Sequence, residues 1–320
     1  MRERAQAAIE GWNTFWFEPA SVAPLVVFRI AFGLIALGWS ISLLPELTAL
    51  FTKQGILPRQ PDFTGKQAGV WGIFGSFPGK TVVVLVAVAL IIASICLLVG
   101  LFSQFAALIL LVGMMSFERR TPFAFNAGDV LLRVIAFYLI FAPTAAALSV
   151  QRFLTSRSEF WSFPRRAPWA MRLLQIQFSV VYLFAVWTKV QGTNWNNGTA
   201  VSFALRVADI ERFPVPSFIS TSPLISNVLT YGTLVIELSL AILVWNRKLR
   251  PWVLLAGLSL HLGIEYSLRV GFYGLAITSL YILFVPSERL ETAVLAVRDW
   301  VGRLRRTGSP ERAVEPASPG

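Results

Sequence analysis

The sequence predicts an all-α, polytopic membrane protein of about eight transmembrane helices, with seven as the alternative. Three observations predict it. Of the 320 residues, 55% are hydrophobic and 14% charged, with a mean hydropathy of +0.64, whereas an ordinary soluble domain is about 25% charged. The apolar residues gather into runs of about 20, the length that crosses a bilayer. The net charge of +11 is spread unevenly between alternate loops, as it is in chains with a cytoplasmic and an outer side. This composition excludes a water-soluble globule and a disordered chain.

Residues 1–21 carry Trp12 and Trp16 among Glu3, Glu10 and Glu18. They are expected to be cytoplasmic or interfacial, and they lack the unbroken apolar run of a cleavable signal peptide. The membrane domain is expected over 22–286. Its spans read as 22–44, 81–100, 104–117, 128–150, 171–191, 224–245, 252–268 and 270–285, the third and eighth being short. Residues 45–79, rich in Gly and Pro and carrying Trp71, Phe74 and Phe77, read as a loop that dips into the interface. With eight spans the termini share a side that holds 15 Lys and Arg, against eight on the other. Both termini are therefore expected in the cytoplasm, with the chain in the cell membrane. Trp12, Trp16, Trp71, Trp161, Trp169, Trp195 and Trp252 fit interfacial belts.

Pro286 ends the last span. Leu290, Val294, Val297, Val301 and Leu304 then recur at helical spacing, close to Arg303, Arg305 and Arg306. Residues 287–306 are thus expected to form an amphipathic helix on the membrane surface. The tail 307–320, of Gly, Ser, Pro and Glu, is expected to be disordered. The basic charge points to anionic lipid rather than nucleic acid, because zinc spacings, basic-aromatic groove segments and helix-turn-helix patterns are missing. A single cysteine, Cys96, and a single histidine, His261, exclude an intramolecular disulfide and a Cys- or multi-His-based metal site.

Ionisable groups inside apolar spans are costly, so each is a candidate functional residue. Arg29 lies in the first span, Asp129 and Arg133 open the fourth, and Lys189 closes the fifth. Glu237 sits inside the sixth, and His261, Glu265 and Arg269 follow at intervals of four. Asp129 and Arg133 are expected to neutralise one another at i, i+4. The three residues 261, 265 and 269 are read as a ladder on one face, with Glu265 orienting His261. Glu237 has no partner on its own helix and is expected to pair with Arg29 or Arg269; Arg29 has snorkelling as its alternative. Lys189 follows the run Val181-Tyr182-Leu183-Phe184-Ala185-Val186-Trp187, and only five of the 28 basic residues are lysine. An amine walled by apolar groups loses solvation, which favours the neutral form that accepts protons. The alternative is that it reaches out to the headgroups.

Five motifs occur in order: Phe28-Arg29-Ile30-Ala31-Phe32-Gly33; Gly55-Ile56-Leu57-Pro58; Arg119-Arg120-Thr121-Pro122-Phe123-Ala124-Phe125-Asn126-Ala127-Gly128-Asp129; Lys189 with Trp195-Asn196-Asn197-Gly198-Thr199-Ala200; and His261-Leu262-Gly263-Ile264. This ordered set resembles the horizontally transferred transmembrane (HTTM) domain, the membrane portion of vitamin K-dependent gamma-carboxylases, over roughly 20–290. The resemblance implies a reduced naphthoquinone of vitamin K or menaquinone type as cofactor, with no metal. It implies a lysine base, which falls on Lys189, that deprotonates the quinol. Oxygen then generates a stronger base, which removes a glutamate γ-proton before carbon dioxide adds. His261 is the second candidate catalytic residue, holding a quinone oxygen or shuttling a proton. Glu265, Glu237, Arg29, Asn126, Asp129 and Trp195 are candidate supporting or substrate-binding residues. The carboxylases carry a histidine after the asparagine of the third motif, where this chain has Ala127.

Two functional classes follow. One is a carboxylase-like (lyase) membrane enzyme driven by a reduced quinone, its substrate left open between a protein and another molecule. The other is a non-catalytic membrane module: a partner, a maturation factor or a lipid-binding subunit.

Overall fold

The computed structural model describes residues 1–56 and 71–307. It is mostly helical, with almost no sheet. The main helices are α1 (Arg2–Phe17), α2 (Ala23–Ser42), α3 (Lys80–Val99), α4 (Ser103–Arg120), α5 (Ala127–Leu139), α6 (Trp169–Lys189), α7 (Pro223–Ile242), α8 (Arg250–Ser267), α9 (Tyr273–Ser279) and α10 (Ser287–Thr307). A two-residue antiparallel pairing of Ala20–Ser21 with Arg165–Arg166 completes the regular structure. Among the described residues, four helical segments are long and apolar enough to cross a membrane: Ala23–Ser42, Lys80–Val99, Trp169–Lys189 and Pro223–Trp245.

Helix ends fall where local chemistry dictates. Pro24 and Pro223 sit in the first turns of α2 and α7, where the missing N–H costs nothing. Gly100 ends α3 in the left-handed conformation, with φ 73°, the usual role of a glycine at a helix C-terminus. The expected span 128–150 is corrected: α5 stops at Leu139 after 13 residues. Such a helix rises only about 20 Å. Pro143 lies just beyond and cannot continue a helix, and residues 140–149 run as turns, with Leu148 at φ 45°. The eighth segment is short, as expected: α9 continues as a 3-10 turn over Leu280–Phe284. The tail beyond 307 and part of the 45–79 loop, including Leu57 and Pro58, lie outside the described residues.

One core holds the bundle together. It is built around the buried Phe28, Phe32 and Trp39 of α2, Leu90 and Leu97 of α3, and Leu110 and Met114 of α4. Small residues let backbones approach, the usual basis of helix association where lipid removes the hydrophobic drive. A Cβ on Gly33 would lie 2.7 Å from Leu98 Cα. Gly33→Ala is expected to separate α2 from α3 at a cost of about 1–3 kcal/mol, read as a lower unfolding midpoint in detergent. The outer faces carry Leu85, Ile92, Phe184 and Val235, each more than half exposed, as lipid-facing residues should be.

Helices α1 and α10 are each tied to the bundle by a side chain. Arg172 of α6 donates to Phe15 O at 3.3 Å and stacks over the Phe15 ring, which fastens α1. Ser21 hydrogen-bonds Glu291, which fastens α10. Val297 of α10 is more than half exposed, on the apolar side of the expected amphipathic helix.

Candidate functional site

Lys189 closes α6, with its side chain 22% exposed. Its amine ion-pairs with Glu237 of α7 and lies 5.0 Å from the centre of the Trp195 ring, a cation–π distance. Trp195 sits in a short helix, Thr193–Asn196. Its turn is closed by Gly198 at φ 75°, and Ser226 Oγ of α7 donates to the Gly198 carbonyl at 2.9 Å. Glu237 is 4% exposed, and its Oε2 has no partner among the described residues. The expected pairing of Glu237 with Arg29 or Arg269 is thereby corrected. Packing of α6 against α7 puts Lys189 nearer than either arginine.

His261, on α8, is buried. Its Nε2 lies 2.7 Å from the Tyr182 hydroxyl, which is in turn 3.2 Å from Tyr281 Oη. Its Nδ1 has no partner among the described residues. Tyr273 of α9 packs its ring 5.9 Å from the imidazole. Gly257, one turn before His261, admits this arrangement, because a Cβ there would stand 2.5 Å from Tyr281 Oη. The two groups stand on adjoining helices: Tyr182 and Lys189 share α6, which packs on α7, and α7 packs on α8.

The expected 261–265–269 ladder is corrected. Glu265 ion-pairs with Arg212 at 3.0 Å, and α8 ends at Ser267. Arg269 therefore leaves the helix face, and its backbone N–H donates to Ile210 O at 2.7 Å. Glu265 consequently does not orient His261; Tyr182 does.

The expected Asp129–Arg133 pair is corrected too. Asp129 accepts from Trp39 Nε1 at 2.7 Å and from the Asn126 backbone N–H at 2.6 Å. Asn126 Oδ1 accepts from Gly128 N at 2.7 Å, so these two residues cap α5 reciprocally. Arg133 turns instead to Glu118 of α4, at 2.6 Å. Both capping residues line a cavity of about 230 Å³ beside Trp39, Glu46 and Phe272. Arg29 is fully buried and does not snorkel. Its Nη2 donates to Leu148 O at 2.6 Å, and its Nη1 fills the space a Cβ on Gly100 would take. Of the eight sequence-predicted site residues, the structure thus brings together Lys189, Glu237, Trp195 and His261. It places Glu265, Arg29, Asn126 and Asp129 elsewhere.

Tyr182, Tyr273 and Tyr281 were not read from the sequence as site residues. Tyr182 had a usable signal: it lies seven residues before Lys189, two turns along the same face. Tyr273 and Tyr281 had none, because their place depends on how α9 docks. The family model of the HTTM domain matches residues 17–288. No curated protein and no solved structure matches the chain. The match runs from the end of α1 to the start of α10 and contains the whole Lys189–Glu237–His261 cluster, so the chain belongs to the HTTM domain family.

Proposed function

We propose that the chain is an integral-membrane enzyme that uses a reduced quinone, with Lys189 as its base and the Arg-rich end of the bundle in the cytoplasm. The observation that supports this reading is that the part-buried Lys189–Glu237 ion pair and the buried Tyr182–His261 pair lie on the adjoining helices α6, α7 and α8. Glu237 Oε2 and His261 Nδ1 have no partner among the described residues, which leaves each able to meet a ligand. Those two atoms offer hydrogen-bonding positions to the hydroxyl groups of a reduced naphthoquinone, and the rings of Tyr182, Tyr273 and Tyr281 offer apolar surface to its body.

A reduced quinone, when bound, supplies an acidic hydroxyl and the reducing equivalents that oxygen consumes. The chain's own residues handle the proton. Lys189 and Glu237 hold the same number of protons as an ion pair or as amine plus carboxylic acid, and a low-dielectric setting narrows the gap between those forms. The neutral form offers Nζ a free lone pair. A proton taken there from the quinol hydroxyl restores the ammonium, beside a Glu237 carboxyl that already holds the proton it took from Lys189. Tyr182 holds the His261 ring by its Nε2, which leaves Nδ1 to orient a ligand oxygen. Burial keeps water from competing.

The test is quinol turnover by the purified chain in nanodiscs, with reduced menaquinone or vitamin K supplied with oxygen and the oxidised products followed by mass spectrometry. Wild type is expected to turn over and Lys189→Ala is not. Full activity in Lys189→Ala would overturn the base. Tyr182→Phe is expected to fold and to lose at least about tenfold in rate, since it frees the His261 ring. No turnover by the wild type would favour the non-catalytic membrane module. One observation already leans toward that reading: Asn126 and Asp129 are spent on capping α5 rather than directed at a substrate.

A further inference from the structure

A second cavity, of about 660 Å³, opens beside the start of α4. Three segments meet there: the turn from α3 into α4, residues 142–146 after α5, and the short helix Val150–Thr155. Its walls are electropositive for separate reasons. The first turn of the 18-residue α4 lines it, and the leading N–H groups of a helix lack intrahelical acceptors and sit at its positive pole. Arg152 and Arg166 line it as well. Arg152 is paired with Glu159, whereas Arg166 has no carboxylate partner among the described residues. Ser103 and Thr144, 3% and 1% exposed, are on the wall, and neither hydroxyl has a partner among the described residues.

Behind this wall lies Arg29. It is 0% exposed, and its Nε and Nη1 have no partner among the described residues. Its Nη2 donates to Leu148 O, next to the segment that forms the cavity. A buried guanidinium without a counter-ion is costly in any apolar surrounding. An anion in the adjoining cavity would offset that cost. Phe102 and Phe105, 66% and 64% exposed, flank the mouth and offer hydrocarbon beside the charged floor.

We propose that this cavity binds a phosphate group, held by Arg152, Arg166 and the first turn of α4, with the field of Arg29 behind it. An anionic lipid headgroup and free phosphate share that chemistry, and the experiment separates them. The full chain is placed in nanodiscs of phosphatidylcholine with or without phosphatidylglycerol, and bound lipid is counted by native mass spectrometry. In parallel, its unfolding midpoint in detergent is measured with and without inorganic phosphate. Arg152→Gln/Arg166→Gln is compared with Arg152→Lys/Arg166→Lys and with Arg247→Gln/Lys248→Gln, which removes the same charge outside the cavity.

Wild type and the Arg247/Lys248 variant are expected to retain phosphatidylglycerol. The glutamine cavity variant is expected to bind it about tenfold more weakly, and the lysine variant to recover part of the loss. A midpoint raised by inorganic phosphate in wild type, and not in the glutamine variant, would assign the site to free phosphate. The proposal is overturned if the glutamine variant keeps wild-type lipid retention and phosphate leaves every midpoint unmoved. It is equally overturned if the Arg247/Lys248 variant loses as much as the cavity variant.

Discussion

Replacing Lys189 with methionine is expected to abolish quinol turnover, by at least about 100-fold for the loss of a general base, and to weaken the fold. The second effect follows from Glu237. Its carboxylate is 4% exposed, and removing the ammonium leaves it buried and unpaired, at a cost of about 3–5 kcal/mol. An inactive single variant would therefore say little about catalysis. Replacing both partners resolves this, because an apolar pair of similar volume is often as stable as the buried ion pair it replaces. Lys189→Met/Glu237→Leu is expected to unfold at a midpoint near wild type in detergent and to remain inactive in nanodiscs. A well-folded double variant that still consumes quinol would remove Lys189 from the chemistry. A double variant that unfolds like the single one would show that Lys189 and Glu237 answer to groups beyond each other.

Asp129→Ala is expected to cost about 2–4 kcal/mol, the sum of a lost helix cap and a stranded buried donor. Its carboxylate serves two donors from different parts of the chain, the Trp39 indole of α2 and the Asn126 backbone N–H. Alanine would leave Trp39 Nε1 buried without an acceptor and loosen the first turn of α5. Asp129→Asn separates the two contributions. One amide oxygen can still accept from Trp39, but the second position becomes a donor facing a donor, so an intermediate midpoint is expected. Thermal unfolding in detergent reads both variants. An Asp129→Ala midpoint equal to wild type would show that the indole finds another acceptor and that the cap is dispensable.

The two sides of the cluster around Lys189 were unequally legible. Lys189 stood out because a basic residue ends an aromatic run, a property of neighbouring positions. Glu237 stood out because it lacks a partner at i±3 or i±4, but which side chain answers it could not be read. The tempting pairs at i, i+4 misled twice. Asp129 and Arg133 are one turn apart, yet Asp129 caps the helix and Arg133 reaches across to Glu118. Glu265 likewise ignores His261 and reaches Arg212. Helical spacing establishes that two groups are neighbours; it does not say that no better partner stands on the facing helix.

The sequence by itself determined the helical class, the apolar segments, the amphipathic α10 and the break after Val285. All of these rest on hydropathy, periodicity and Pro or Gly placement, which act within a few residues. Tertiary structure alone decided that Lys189 meets Glu237, 48 positions away, that Tyr182 holds His261, and that Arg29 lies buried behind a basic cavity. It also cut the fourth segment short at Leu139. The physical reason is that a buried charge takes whichever counter-group lies nearest once helices dock. Docking is set by close approaches such as Gly33 against Leu98 and Gly257 against Tyr281, which no local pattern encodes.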